Sequence, residues 1–154
     1  MIYHEERLLQ VHPDLANFIY DLFGKLEHRH KDWLVICGWR NEADQHAAFL
    51  AGTSTKDWPD GKHNHMVEII KNVVVDGVLQ KVPEMIPLSL AVDIGPHPYD
   101  RGKDKGRLYI ISGFAMALAE EQGLKIRCGA DWNGNLSTTD QKLHDLFHYE
   151  LVLA

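Results

Sequence analysis

The stretch SLAVDIGP, residues 89–96, places a carboxylate where a strand has no packing use for one. Strict alternation sets Leu88, Leu90, Val92 and Ile94 on one face and Ser89, Ala91, Asp93 and Gly95 on the other. The first is a core face, and the second is a set of small residues around Asp93. Asp is disfavoured in strands and a buried carboxylate without a partner is costly, so Asp93 needs a cation, a donor or water. Taken alone, it reads as a strand-end carboxylate, solvated or capping the turn before Pro96. Ten histidines in 154 residues widen the choice. Near the C-terminus Phe147, Tyr149 and Leu151 form a core face, so His148 points the other way, as Asp93 does on its strand. Asp145 stands three residues before His148; a turn before Leu146 is expected to bring both side chains into one cleft. His63 and His65 lie in a polar loop, where solvent exposure is the ordinary fate of a histidine. A His, Asp and His together form a ligand set that leaves a zinc ion one position open, as hydrolytic sites require. A neighbouring carboxylate such as Asp145 could then take the proton from the attacking water.

The elements that must position these groups follow from local patterning. Pro13 suits a first helical position, and Leu15, Phe18, Ile19, Leu22, Phe23 and Leu26 make one apolar stripe, predicting a helix over 13–30. WLVIC, residues 33–37, reads as a buried strand ended by Gly38. Asn41 caps a second helix that runs to about Ala51, with Gly52 as its stop. A polar loop, 52–65, leads into VEIIKNVVV, a DG turn at Asp76-Gly77 and VLQKV, a hairpin signal over about 67–82. A third helix covers 105–122 with Leu108, Ile111, Ala115, Leu118 and Ala119 inward and Gly123 beyond it. Short strands are expected at 124–128 and 146–153, separated by the loop GADWNGNLSTTD. Helices and strands mix without a βαβ rhythm, which predicts an α+β fold with a small antiparallel sheet and packed helices, in one domain, 1–154.

Composition excludes several classes of function. A net charge of −6 argues against nucleic-acid binding, which calls for a basic face. No stretch is long enough to span a membrane, and the start MIYHEERLL lacks the basic and apolar regions of a signal peptide. Cys37 and Cys128 form no CxxC pair; Cys37, inside an apolar run, reads as a buried free thiol, and nothing implies an oxidising compartment. A chain made in the cytoplasm and working as a monomer is the expectation.

Six segments in a fixed order carry a resemblance. VHPDL (11–15), CGWRNEADQ (37–45), GKHN (61–64), LAVD (90–93), GADW (129–132) and DLFHYE (145–150) are similar to the motifs of the zinc peptidases of peptidoglycan. These comprise the VanY-like D-alanyl-D-alanine carboxypeptidases and the phage L-alanyl-D-glutamate endolysins. The chain departs from the pattern in two places: Gly61 replaces the usual Ser, and 29 residues separate His63 from Asp93. The hairpin accounts for most of that length, and loops tolerate insertions at small entropic cost.

The resemblance implies a Hedgehog/DD-peptidase-like fold, a Zn2+ cofactor and a peptidoglycan stem peptide as substrate. Carried over position by position, it implies His63, Asp93 and His148 as metal ligands, with His65 as the alternative to His63. Asp145 would be the catalytic base, and Arg40 would meet the substrate carboxylate or the developing oxyanion. Gln45 and Ser89 would join Arg40 in binding substrate. The activity implied is cleavage of the L-alanyl-D-glutamate bond by a phage endolysin, made in the host cytoplasm and released to the wall by a partner that opens the membrane. A D-alanyl-D-alanine carboxypeptidase and a non-catalytic zinc-binding module are the alternatives.

Overall fold

In the computed structural model, which describes residues 1–100 and 102–154, two long helices cover one face of a five-stranded sheet. The strands are β1 (Ile2–Tyr3), β2 (Trp33–Cys37), β5 (Ala91–Pro96), β6 (Ile126–Gly129) and β7 (Asp145–Leu151), in the spatial order β1-β2-β5-β7-β6. The β1–β2 edge pairing is parallel and the other three are antiparallel. Helices α1 (Pro13–Leu26) and α3 (Lys105–Gln122) supply the apolar layer, and α2 (Glu42–Leu50) lies between β2 and the polar loop. β3 (Met66–Val75) and β4 (Val78–Pro87) form a separate hairpin. This is the expected α+β architecture.

The core is where the periodicities put it. Leu15, Phe18, Ile19 and Leu22 of α1 and Leu108 and Ala115 of α3 meet Val35, Val92, Ile94 and Tyr149 from the sheet, all buried. Local chemistry fixes several ends. Asn41 Oδ1 accepts from Asp44 N at 2.8 Å, capping α2. Gly123 ends α3 with φ +67, a left-handed conformation that glycine adopts without penalty. Asp76 and Gly77 both have positive φ, the signature of the two-residue hairpin turn expected there.

The structure differs from expectation at element ends. α1 stops at Leu26, the last residue of its apolar stripe, and Glu27, His28 and Arg29 after it are exposed. The hairpin is longer than 67–82: β4 continues through Pro83, which pairs with Ile70. In a two-stranded sheet each strand is an edge, so the amide missing at proline costs no ladder bond on its outer side. Ser89 lies outside β5. Its hydroxyl donates to Ala91 O at 2.6 Å and accepts from Ala91 N at 3.2 Å, bending the chain before the strand begins.

The hairpin leaves the body of the protein after His65 and returns at Leu88, where Leu88 N donates to His65 O at 3.0 Å and closes its base. Leu90 N then donates to Lys62 O at 3.0 Å, so the chain resumes beside the point it left. The segment between can lengthen without moving either end of the site.

Candidate metal centre

Strands β2, β5 and β7 are neighbours, and the register pairs Cys37 with Asp93 and Asp93 with His148. Residues directly opposite on adjacent strands share a face. Val92 and Ile94 face the helices, so Cys37, Asp93 and His148 stand in one row on the other side of the sheet. His63 comes to this row from a 3-10 turn, Lys62–Asn64. That turn is tied down from both sides. Arg40 N donates to His63 O at 2.9 Å, Asn64 Nδ2 donates to Arg40 O at 2.9 Å, and Gly61 N donates to Asn64 Oδ1 at 3.1 Å. A Cβ on Gly61 would stand 2.5 Å from Asn64 Oδ1, which accounts for glycine at this position of the loop.

Three donor atoms converge. His63 Nε2 is 3.3 Å from His148 Nδ1 and 3.3 Å from Asp93 Oδ1, and His148 Nδ1 is 2.9 Å from Asp93 Oδ1. Donors 2.0–2.1 Å from a tetrahedral zinc ion stand about 3.3 Å apart, so this triangle has the size that such an ion requires. The outer ring nitrogens are committed elsewhere. His63 Nδ1–H donates to Gly38 O at 2.6 Å, and His148 Nε2–H donates to Glu150 Oε2 at 3.1 Å. Each imidazole is thereby held with its other nitrogen aimed at the centre, the usual way protein groups orient metal-binding histidines.

Electrostatics agree that the centre calls for positive charge. Burial alone would lower the His63 pKa, but the Asp93 carboxylate beside it overrides burial and pushes it up to about 10. Burial likewise opposes charge on His148, and its bonds to Asp93 and Glu150 win, raising it. Asp93 is held well below the usual carboxylate range by the two histidines, against its own burial. In the metal-free protein the Asp93 carboxylate favours a proton on His63 in the place that a cation would take.

Asp145 joins the cluster by a route other than the expected turn. It belongs to β7 itself, and the β6–β7 register jumps: Cys128 pairs with Tyr149, but Gly129 pairs with Asp145. This irregularity re-aims Asp145 toward the face of His148. Glycine is required opposite it, because a Cβ at 129 would collide with Asp145 O. Metal-binding atoms of Asp93, Asp145 and His148 all lie within 4.8 Å of one another. Burial raises the Asp145 pKa and the Asp93 charge adds to it, a shift toward the range useful for proton transfer. Behind His148, Glu150 is 3% exposed and also accepts from Arg127 Nε at 2.9 Å. Arg127 in turn lies over the Trp132 ring, 5.5 Å from its centroid, and Trp132 packs against His148.

The remaining residues singled out in the sequence divide. Arg40 reaches the site: Nη2 is 3.8 Å from Asp93 Oδ2 and contacts Cys37 Sγ at 3.5 Å, while Nη1 donates to Gln45 Oε1 at 3.0 Å. Gln45 is 1% exposed, and its amide is spent on Ser54 Oγ, Lys56 O and Arg40. It positions Arg40. Ser89 is 0% exposed, its hydroxyl held by the backbone of Ala91. His65 is outside the cluster, with Nδ1–H donating to Leu88 O at 3.0 Å. Cys37, read from sequence as a buried free thiol, instead stands half-buried within 4.8 Å of the donor atoms of His63 and Asp93. Burial would raise its pKa, and His63 and Arg40 outweigh that and lower it. Beside Cys37 and Arg40 opens a cleft of about 310 Å³, also lined by Arg7, Gln10 and Trp39.

No protein-family model matches the chain, and no curated protein matches it. Among solved structures it is similar to the Serratia marcescens L-Ala D-Glu endopeptidase ChiX. The two are 20% identical, with a TM-score of 0.62 over 99% of this chain and 90% of that one. They share a fold along nearly their whole length.

Proposed function

We propose that this chain is a zinc-dependent peptidase of peptidoglycan stem peptides, cleaving the L-alanyl-D-glutamate bond as a phage endolysin. The observation that carries the reading is the His63–Asp93–His148 donor triangle with Asp145 at its edge, in a fold shared with an L-Ala D-Glu endopeptidase. The finer assignment to the endolysins rests on the KHN segment, 62–64. His63, Asp93 and His148 would hold the ion. Zinc bound there supplies Lewis acidity to the scissile carbonyl and to water. Asp145 takes the proton from the attacking water on a carboxylate oxygen and returns it to the leaving amine. Arg40, held by Gln45, offers its guanidinium to the substrate carboxylate or to the charge developing on the carbonyl oxygen. The cleft lined by Arg7, Trp39 and Arg40 takes the peptide, and the β3–β4 hairpin is rooted beside the His63 turn, at His65 and Leu88. The whole of 1–154 works as one domain.

Incubating the zinc-loaded chain with purified peptidoglycan and identifying the new ends by mass spectrometry tests the assignment. Fragments with D-glutamate at a new amino terminus are expected. Release of free D-alanine would make it a carboxypeptidase, and stoichiometric zinc with an intact sacculus would make it a non-catalytic zinc-binding module.

A further inference from the structure

Cys37 occupies its place because of a defect in strand pairing. Val35 faces the core with 0% exposure, and two residues on, simple alternation would bury Cys37 there as well. The β2–β5 register shifts between Val35 and Cys37, so that Val35 opposes Ile94 but Cys37 opposes Asp93. The extra residue, Ile36, is turned outward, and the thiol is delivered to the polar face. A free thiol is well accommodated by a core; here the fold sets it beside a carboxylate and a histidine instead.

Resting on the metal-site reading above, we propose that Cys37 is a fourth and exchangeable metal donor, which closes the His63–Asp93–His148 site and yields its place to substrate. Cys37 groups with His63 and Asp93, whereas Asp145 groups with Asp93 and His148. Thiol and base therefore take different edges of the donor triangle and do not compete for one position. On coordination the S–H bond breaks, a metal–sulfur bond forms and the proton leaves to solvent. No oxidation state changes, and the ion itself drives the deprotonation. Four protein donors make a closed tetrahedral site, whereas hydrolysis needs one position free. The thiolate must therefore leave when a peptide arrives, and Arg40 Nη2, already 3.5 Å from Sγ, gives it a cationic resting place. The site would then favour softer ions than a purely nitrogen and oxygen set does.

Cobalt(II) substitution of the full chain tests this without recourse to activity. The parent should show visible d–d absorption together with a near-ultraviolet thiolate-to-cobalt charge-transfer band. Cys37→Ser should lose that band and keep the d–d absorption, and Cys128→Ser should keep both, since Cys128 is buried in the core. Titrating a stem peptide into the parent should remove the charge-transfer band while cobalt stays bound. A parent with d–d bands and no thiolate band, a Cys37→Ser chain that retains it, or a band unmoved by saturating peptide would overturn the proposal while leaving the metal site standing. Failure of the parent to bind cobalt at all would overturn the metal site, and this proposal with it.

Discussion

Glu150→Ala should weaken zinc binding by about 10–100-fold while the chain stays folded. The carboxylate is buried, and its Oε2 accepts the Nε2–H of His148 at 3.1 Å. Without it that N–H is left buried and unpaired whenever Nδ1 faces the ion, at a cost of about 1–3 kcal/mol. The ring can escape by moving its proton to Nδ1, the form that cannot bind. Loss of such orienting partners elsewhere weakens metal sites by about 10–100-fold, which is about 1.4–2.7 kcal/mol, so the two routes give the same size. Arg127, the other partner of Glu150, is half-exposed and can turn to water. Glu150→Gln keeps an acceptor in place without its charge, at about half the strength, so its loss should fall at the low end of the range. Competition for zinc against a fluorescent chelator gives the affinities, and far-ultraviolet circular dichroism checks the fold. A Glu150→Ala chain that binds zinc as the parent does would refute the reasoning and leave the packing of Trp132 as what holds the ring.

Asp145→Asn should keep stoichiometric zinc and lose about 10²–10⁴-fold in kcat on peptidoglycan, whereas Asp93→Asn should lose the metal; zinc lost from the Asp145 variant would make that residue a ligand. His63→Ala should abolish stoichiometric zinc and His65→Ala should not, as metal analysis of the two purified chains will decide. Because His63 is protonated in the metal-free protein up to about pH 10, zinc must displace a proton to bind. Calorimetric binding enthalpies near neutrality should therefore vary with the ionisation enthalpy of the buffer, and affinity should rise with pH; an enthalpy independent of buffer would contradict this.

The features legible in the sequence are those with local causes. The stripe from Leu15 to Leu26, the Asn41 cap, the Asp76-Gly77 turn and the Gly123 stop each follow from the residues at hand, and each is found in place. Alternation likewise placed Asp93 and His148 on the side of their strands away from the core. What only the tertiary structure decided is what depends on pairing between distant strands. The register shifts that turn Cys37 toward Asp93 and Asp145 toward the face of His148 belong to no single strand, since a bulge exists only relative to a partner. The buried fates of Ser89 and Gln45 were hidden for a similar reason. Whether a polar side chain is exposed or spends its hydrogen bonds inside is settled by the segments that close over it, here 54–56 and the turn at 62–64. Side-chain periodicity is a property of one chain segment, whereas a metal site is a property of four that meet.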